Sequence, residues 1–124
     1  MVDYRQESIE NARGAIKGGS LLNGGAAVAL LTQLSTIPQS IAGAALTSMI
    51  WWSFGLSFSA FAWVAAFGST RYVDKWQDEG NDIHRVTSNR YQTAGIVLII
   101  LSIICFIAGS LHLAAGFNDA FGNK

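Results

Sequence analysis

The chain has 124 residues, 51% of them hydrophobic and only 13% charged, about half the charged fraction of an average soluble domain. Eight basic and eight acidic residues cancel, so no basic face is available to displace counterions from phosphate, which argues against a nucleic-acid partner. The one cysteine, Cys105, rules out an internal disulfide framework. Within Ile103-Ile104-Cys105-Phe106 it reads as a small apolar filler.

All sixteen charges fall in residues 3–17, in residues 71–90 and in the last six positions, separated by the charge-free blocks 18–70 and 91–118. The first block is 53 residues long, too long to hide in the core of so small a soluble domain. About 20 apolar residues of helix cross a hydrocarbon core of about 30 Å. The first block therefore holds two crossings and a turn, and the second holds one. The expected fold is all-α: an integral membrane protein with three transmembrane helices, an N-terminal amphipathic helix and a short cytoplasmic helical segment between spans 2 and 3.

In chain order, residues 3–17 read as the amphipathic helix. Ile9, Ala12 and Ile16 recur on one face, with Arg5, Glu10, Arg13 and Lys17 around them. This stretch has no apolar centre of the kind a secretory signal needs, so the first span reads as an uncleaved signal anchor. Gly18-Gly19 predicts a flexible junction or a bend into the membrane. Span 1, residues 19–35, is short and polar for its role, with Asn23, Thr32 and Gln33 in or near it. Gly24 and Gly25 expose a smooth backbone ridge, and Gly25 with Ala29 makes a small-xxx-small pair suited to close helix approach. Asn23 either bonds across to a neighbouring helix or lines a pore or binding site. Pro38 predicts a short connection and the first turn of a new helix.

Span 2, residues 40–70, exceeds the hydrocarbon thickness and must tilt, bend or start in the interface. It offers two small faces: Ser53, Ser57 and Ala60, or Gly55, Ser59, Ala62 and Ala66. Trp51-Trp52 lies either at the membrane interface or inside the bundle. Residues 71–92 form the cytoplasmic segment, in which Tyr72, Val73 and Trp76 extend the second helix to Glu79. Gly80-Asn81 is a helix stop, and Asp82 is the expected cap of the next helix. Four basic and four acidic residues balance between 71 and 90, which predicts charge pairing between helices. Span 3, residues 93–116, is the most hydrophobic.

With three spans, seven basic residues lie on the side of the N-terminus and of residues 71–90, and only Lys124 on the other. This asymmetry places the N-terminus in the cytoplasm and the C-terminus outside. Catalytic constellations are scarce. His84 and His112 fall on opposite sides, so they cannot share a metal, and no metal site or cofactor is expected. His112 is the one weak candidate for haem or proton chemistry. No carboxylate lies in a span, which argues against proton-coupled transport. The Gly18-Gly19 and Gly24-Gly25 pairs lack the order of a phosphate loop.

The stretch Ser20-Leu21-Leu22-Asn23-Gly24-Gly25-Ala26-Ala27-Val28-Ala29-Leu30-Leu31, preceded by a charged helix, resembles a pattern in small bacterial multi-span inner-membrane proteins without an assigned activity. The resemblance implies a bacterial inner-membrane location and supplies no site. Phage holins share the size but often end in a highly charged cytoplasmic tail. Three-span anchor subunits of respiratory complexes share size and span number but carry haem or quinone motifs absent here. The function expected is non-enzymatic: an accessory or scaffold protein that associates with itself or with a membrane complex. A homo-oligomeric pore or membrane-disrupting effector is the alternative, and a haem- or quinone-associated anchor the second. The residues expected to pack helices or line a pore are Asn23, Gly24, Gly25, Ala29, Gln33, Ser53, Ser57 and Ser59.

Overall fold

A computed structural model describes residues 4–122, which form three helices, α1 (Tyr4–Thr32), α2 (Gln39–Glu79) and α3 (Asp82–Phe121), with no strand among the described residues. Asp3, where the amphipathic helix is expected to begin, and Lys124 lie outside them. Short turns make α2 antiparallel to both other helices. The α2–α3 pairing is the most extensive, α1 leans mainly on α2, and α1 meets α3 least.

Gly18-Gly19 does not interrupt the helix: α1 runs unbroken through it. Glycine in a helix costs about 1 kcal/mol relative to alanine, but tertiary contact overrides that propensity. Gly19 is buried, and a Cβ there would stand 2.7 Å from Ser59 Oγ and 3.0 Å from Ser102 Oγ. The helix ends at Thr32, three residues before the expected end of span 1. The following turn is held by Thr36 Oγ1, which donates to Gln33 O at 2.9 Å and Gln33 Oε1 at 3.1 Å. Pro38 is the N-cap of α2 at φ −59°, ψ 143°, as its fixed φ and missing N–H suit.

Helix α2 ends at Glu79, where Gly80 adopts φ 65° and its N–H returns to Trp76 O. A left-handed residue at this point favours glycine. The cap of α3 is Asn81, whose Oδ1 accepts from Ile83 N at 3.0 Å. Asp82, the cap expected from sequence, takes the first helical turn instead, where its charge still faces the positive end of the helix dipole.

The buried positions of α2 are Ile41, Ala45, Ser48, Trp52, Gly55, Ser59, Ala62, Ala65 and Ser69. Their alternation of three- and four-residue steps is the 3.5-residue repeat of a left-handed supercoil. On α3, Ser88, Gly95, Ser102 and Gly109 are buried at a spacing of seven. Gly116 continues that row, half-buried against Ala44. The row of small residues on α3 lets the two backbones approach closely, the packing used between helices in lipid.

The surface is the inverse of a soluble bundle. Phe54, Phe61, Val64, Phe67, Ile96 and Leu111 all point outward. Helices α2 and α3 are long and apolar enough to cross a membrane, and only 28% and 17% of their most apolar windows are buried. Helix α1, which contains the expected first span, is too dilute in apolar residues to pass the same test. The Trp51-Trp52 pair divides between the two environments, with Trp52 inside the bundle and Trp51 facing out.

Candidate functional site

The most constrained chemistry lies where all three helices meet. Asn23 on α1, Ser59 on α2 and Ser102 on α3 are 0%, 1% and 0% exposed. Asn23 Nδ2 donates to Gly19 O at 3.0 Å, Ser102 O at 3.1 Å and Ser102 Oγ at 3.0 Å. Two N–H groups serving three acceptors means that one is shared. Three acceptors around one atom also fix the amide orientation, since the flipped carboxamide would set oxygen against oxygen. Ser102 Oγ and Ser59 Oγ share a hydrogen bond of 2.8 Å, so the chain of bonds links α1 through α3 to α2.

Asn23 Oδ1 is buried without a hydrogen-bond partner. It faces Gly55, where a Cβ would coincide with the carboxamide and lie 2.7 Å from its Nδ2. The oxygen therefore points along a glycine Cα–H, a weak donor used at close helix contacts. Only glycine fits opposite it.

Two further clasps bind α2 to α3. Toward the α2–α3 turn, Ser69 Oγ and Ser88 Oγ lie 3.1 Å apart, and Ser88 Oγ also donates to Ser69 O at 3.1 Å. Toward the opposite end, Trp52 Nε1 donates to Phe106 O at 3.3 Å over Gly109, whose Cβ would fall 2.6 Å from the indole nitrogen.

The other residues singled out by sequence are placed differently. Gly24 is half-buried, 3.7 Å from Leu56 Cδ1 as measured from a built Cβ, whereas Gly25 meets nothing within 4 Å. Gly25, Ala29 and Gln33 are exposed, and so are Ser53 and Ser57. The last two donate to Met49 O and Ser53 O on their own helix, which satisfies each hydroxyl without a partner chain. Of the two small faces of α2, the one containing Gly55, Ser59 and Ala62 is buried and the one containing Ser53 and Ser57 faces out. The signal that sequence inspection passed over is the seven-residue row on α3, Ser88 to Gly116.

At the α2–α3 turn, aromatic stacking largely replaces the expected charge pairing. Tyr72 stacks on Tyr91 and on His84, with centroids 5.6 and 6.0 Å apart. Lys75 lies over Tyr72 and Arg85 over Trp76, at 5.7 and 5.6 Å. Among the described residues the one acid–base side-chain contact is the hydrogen bond between His84 Nε2 and Glu79 Oε2 at 2.9 Å, exposed enough to contribute little. His112 is exposed on α3, 28 residues and so about 42 Å along one unbroken helix from His84. Cys105 is buried and free. No group of three metal-ligating side chains occurs among the described residues. Chemically, the central cluster can lock helices together, and it holds no nucleophile activated by a base. No family model, curated protein or solved structure matches the chain.

Proposed function

We propose that the chain is a three-span protein of the bacterial inner membrane that acts without catalysis, as an accessory or scaffold subunit. The observation that carries this reading is the direction of the side chains. Asn23, Ser59 and Ser102 are turned inward and bonded within one chain, while the large apolar residues face out. A pore needs a continuous polar path, and Asn23, the best candidate to line one, has no exposed surface.

Register supports α1 as a third crossing. Asn23 stands level with Ser59 and Ser102, and Leu21, Leu22, Val28 and Leu31 of α1 are exposed like the apolar faces of the other helices. Twelve residues of helix separate Arg71 from Ser59 and Arg90 from Ser102, about 18 Å in each case. That distance is close to half the hydrocarbon thickness of about 30 Å. The central cluster would sit near the midplane, with Arg71 and Arg90 at the cytoplasmic boundary, and Lys17, six residues from Asn23, would reach that boundary with its long side chain. The exposed Gly25 and Ala29 leave a smooth strip on α1 for a neighbouring helix.

Native mass spectrometry of the full-length protein from mild detergent tests the scaffold reading. A homo-oligomer or a fixed-stoichiometry complex is expected, and a lone monomer would overturn it. Expression should leave the membrane potential intact. Depolarisation that is abolished by Ser53→Leu or Ser57→Leu at unchanged protein level would establish the pore instead.

A further inference from the structure

Helix α1 carries one stripe toward the α2–α3 pair, and only part of that stripe is in contact. Ile9, Ala12, Ile16, Gly19 and Asn23 follow one another in steps of three and four, so they share a face. Ile16, Gly19 and Asn23 are buried, whereas Ala12 is exposed and Ile9 is 43% exposed. In the arm formed by residues 6–13, every described side chain is exposed.

The α2–α3 pair is open at the same height. Val73 and Trp76 of α2 and Arg85, Ser88, Asn89 and Gln92 of α3 line a cleft of about 280 Å³ between the two helices. That is roughly twice the volume of an apolar cavity that takes up benzene. Its apolar wall is Val73 with the Trp76 ring, over which the Arg85 guanidinium lies at 5.6 Å. Fourteen residues separate Ile9 from Asn23, Val73 from Ser59 and Ser88 from Ser102, about 21 Å of helix in each case. Asn23, Ser59 and Ser102 are bonded at one level, so Ile9 comes level with the cleft.

Gly14 lies between the free arm and the seated Ile16. A Cβ there would meet nothing within 4 Å, so no contact in the bundle accounts for a glycine where alanine is the better helix former. We infer that the arm closes on this cleft by bending at Gly14, and that Ile9 is the side chain it seats there. The arm is too narrow on its apolar face for a membrane surface. Only Ile9 and Ala12 extend that face beyond Ile16, whereas an interfacial helix presents a broad face of Trp, Phe or Leu. Closure buries Ile9 together with Val73 and Trp76, both half-buried in the open form. Tethering favours the chain's own arm over that of a second copy. A cleft covered in this way admits another helix only while the arm is away. Closure depends on the packing of the three helices and not on how many of them cross the membrane.

Disulfide trapping in the full-length protein in mild detergent tests the contact. The native thiol, Cys105, is buried and is removed as Cys105→Ser. Ile9→Cys paired with Val73→Cys should oxidise to a monomer in which the tryptic peptides 6–13 and 72–75 are joined, as Cα atoms within about 7 Å allow. Glu7→Cys, on the opposite face of the arm, should give no such product with Val73→Cys. Gly14→Ala should slow the joining about fivefold, the equivalent of about 1 kcal/mol of helix propensity. Without any cysteine change, trypsin should cut after Arg13 more slowly in wild type than in Ala12→Asp. Failure of Ile9→Cys to join, equal yield from Glu7→Cys, or equal cutting of wild type and Ala12→Asp would overturn closure. Joining only between two chains would assign the cleft to a second copy and overturn it as well. An unchanged rate in Gly14→Ala would overturn the hinge.

Discussion

Replacing Gly55 by alanine would place a methyl group in the volume that the Asn23 carboxamide occupies. The Asn23 side chain, fully buried and bonded to Ser102, would have to rotate or the helices part, an overpacking cost of about 1–3 kcal/mol. Asn23→Ala removes the two hydrogen bonds to Ser102, each worth about 0.6 kcal/mol on average in lipid and up to about 1.7. Because the two residues share one space, Gly55→Ala combined with Asn23→Ala should be less destabilising than the sum of the two changes. Unfolding midpoints in mixed SDS micelles measure this, and strict additivity would refute the contact. Asn23 drew attention in the sequence as an amide within a span. Gly55 counted there only as one member of a small face, because a glycine matters here through what stands opposite it.

At the scale of elements, α3 is a helix with two opposed solvent preferences. Its row Ser88, Gly95, Ser102, Gly109 is small and buried, and Ile96, Ile100 and Leu111 face out. Ser102→Leu should therefore disrupt the bundle, whereas Ile100→Leu should change the unfolding midpoint little. Comparable losses for both would contradict the assigned face. Gly109→Ala should displace Trp52, whose indole N–H donates to Phe106 O. A shift in tryptophan emission, compared against Trp51→Phe, Trp63→Phe and Trp76→Phe backgrounds to isolate Trp52, would register the movement. At the α2–α3 turn, Asn81→Ala removes the cap bond to Ile83 N, with an expected cost of about 1 kcal/mol. An unchanged midpoint would show that the turn is held by the Tyr72, Tyr91 and His84 stack instead.

For the whole molecule, the number of crossings decides the topology. Three crossings place the termini on opposite sides, so a C-terminal alkaline phosphatase fusion should be active and an N-terminal one inactive. If α1 lies on the cytoplasmic surface and only α2 and α3 cross, both fusions should be inactive. The proposed register makes the first outcome the expected one, because α1 carries Asn23 to the level of Ser59 and Ser102 rather than to a boundary.

The residue pattern alone was enough for the all-helical class, the helix stop at Gly80 and the Pro38 turn. Each follows from local chemistry: uncharged runs of helical length, a left-handed glycine, and a ring without an N–H. The same local reasoning failed at Gly18-Gly19, where propensity predicts a break and α1 instead runs on, with Gly19 packed closely against Ser59 and Ser102. It also left two serine faces on α2 equally eligible. The tertiary structure buried Ser59 and left Ser53 and Ser57 outside, bonded to their own backbone. In a chain whose apolar side chains face outward, hydrophobicity no longer marks the core. The inside is decided by which small residues on α2 meet the seven-residue row of α3, a pairing that neither helix carries by itself.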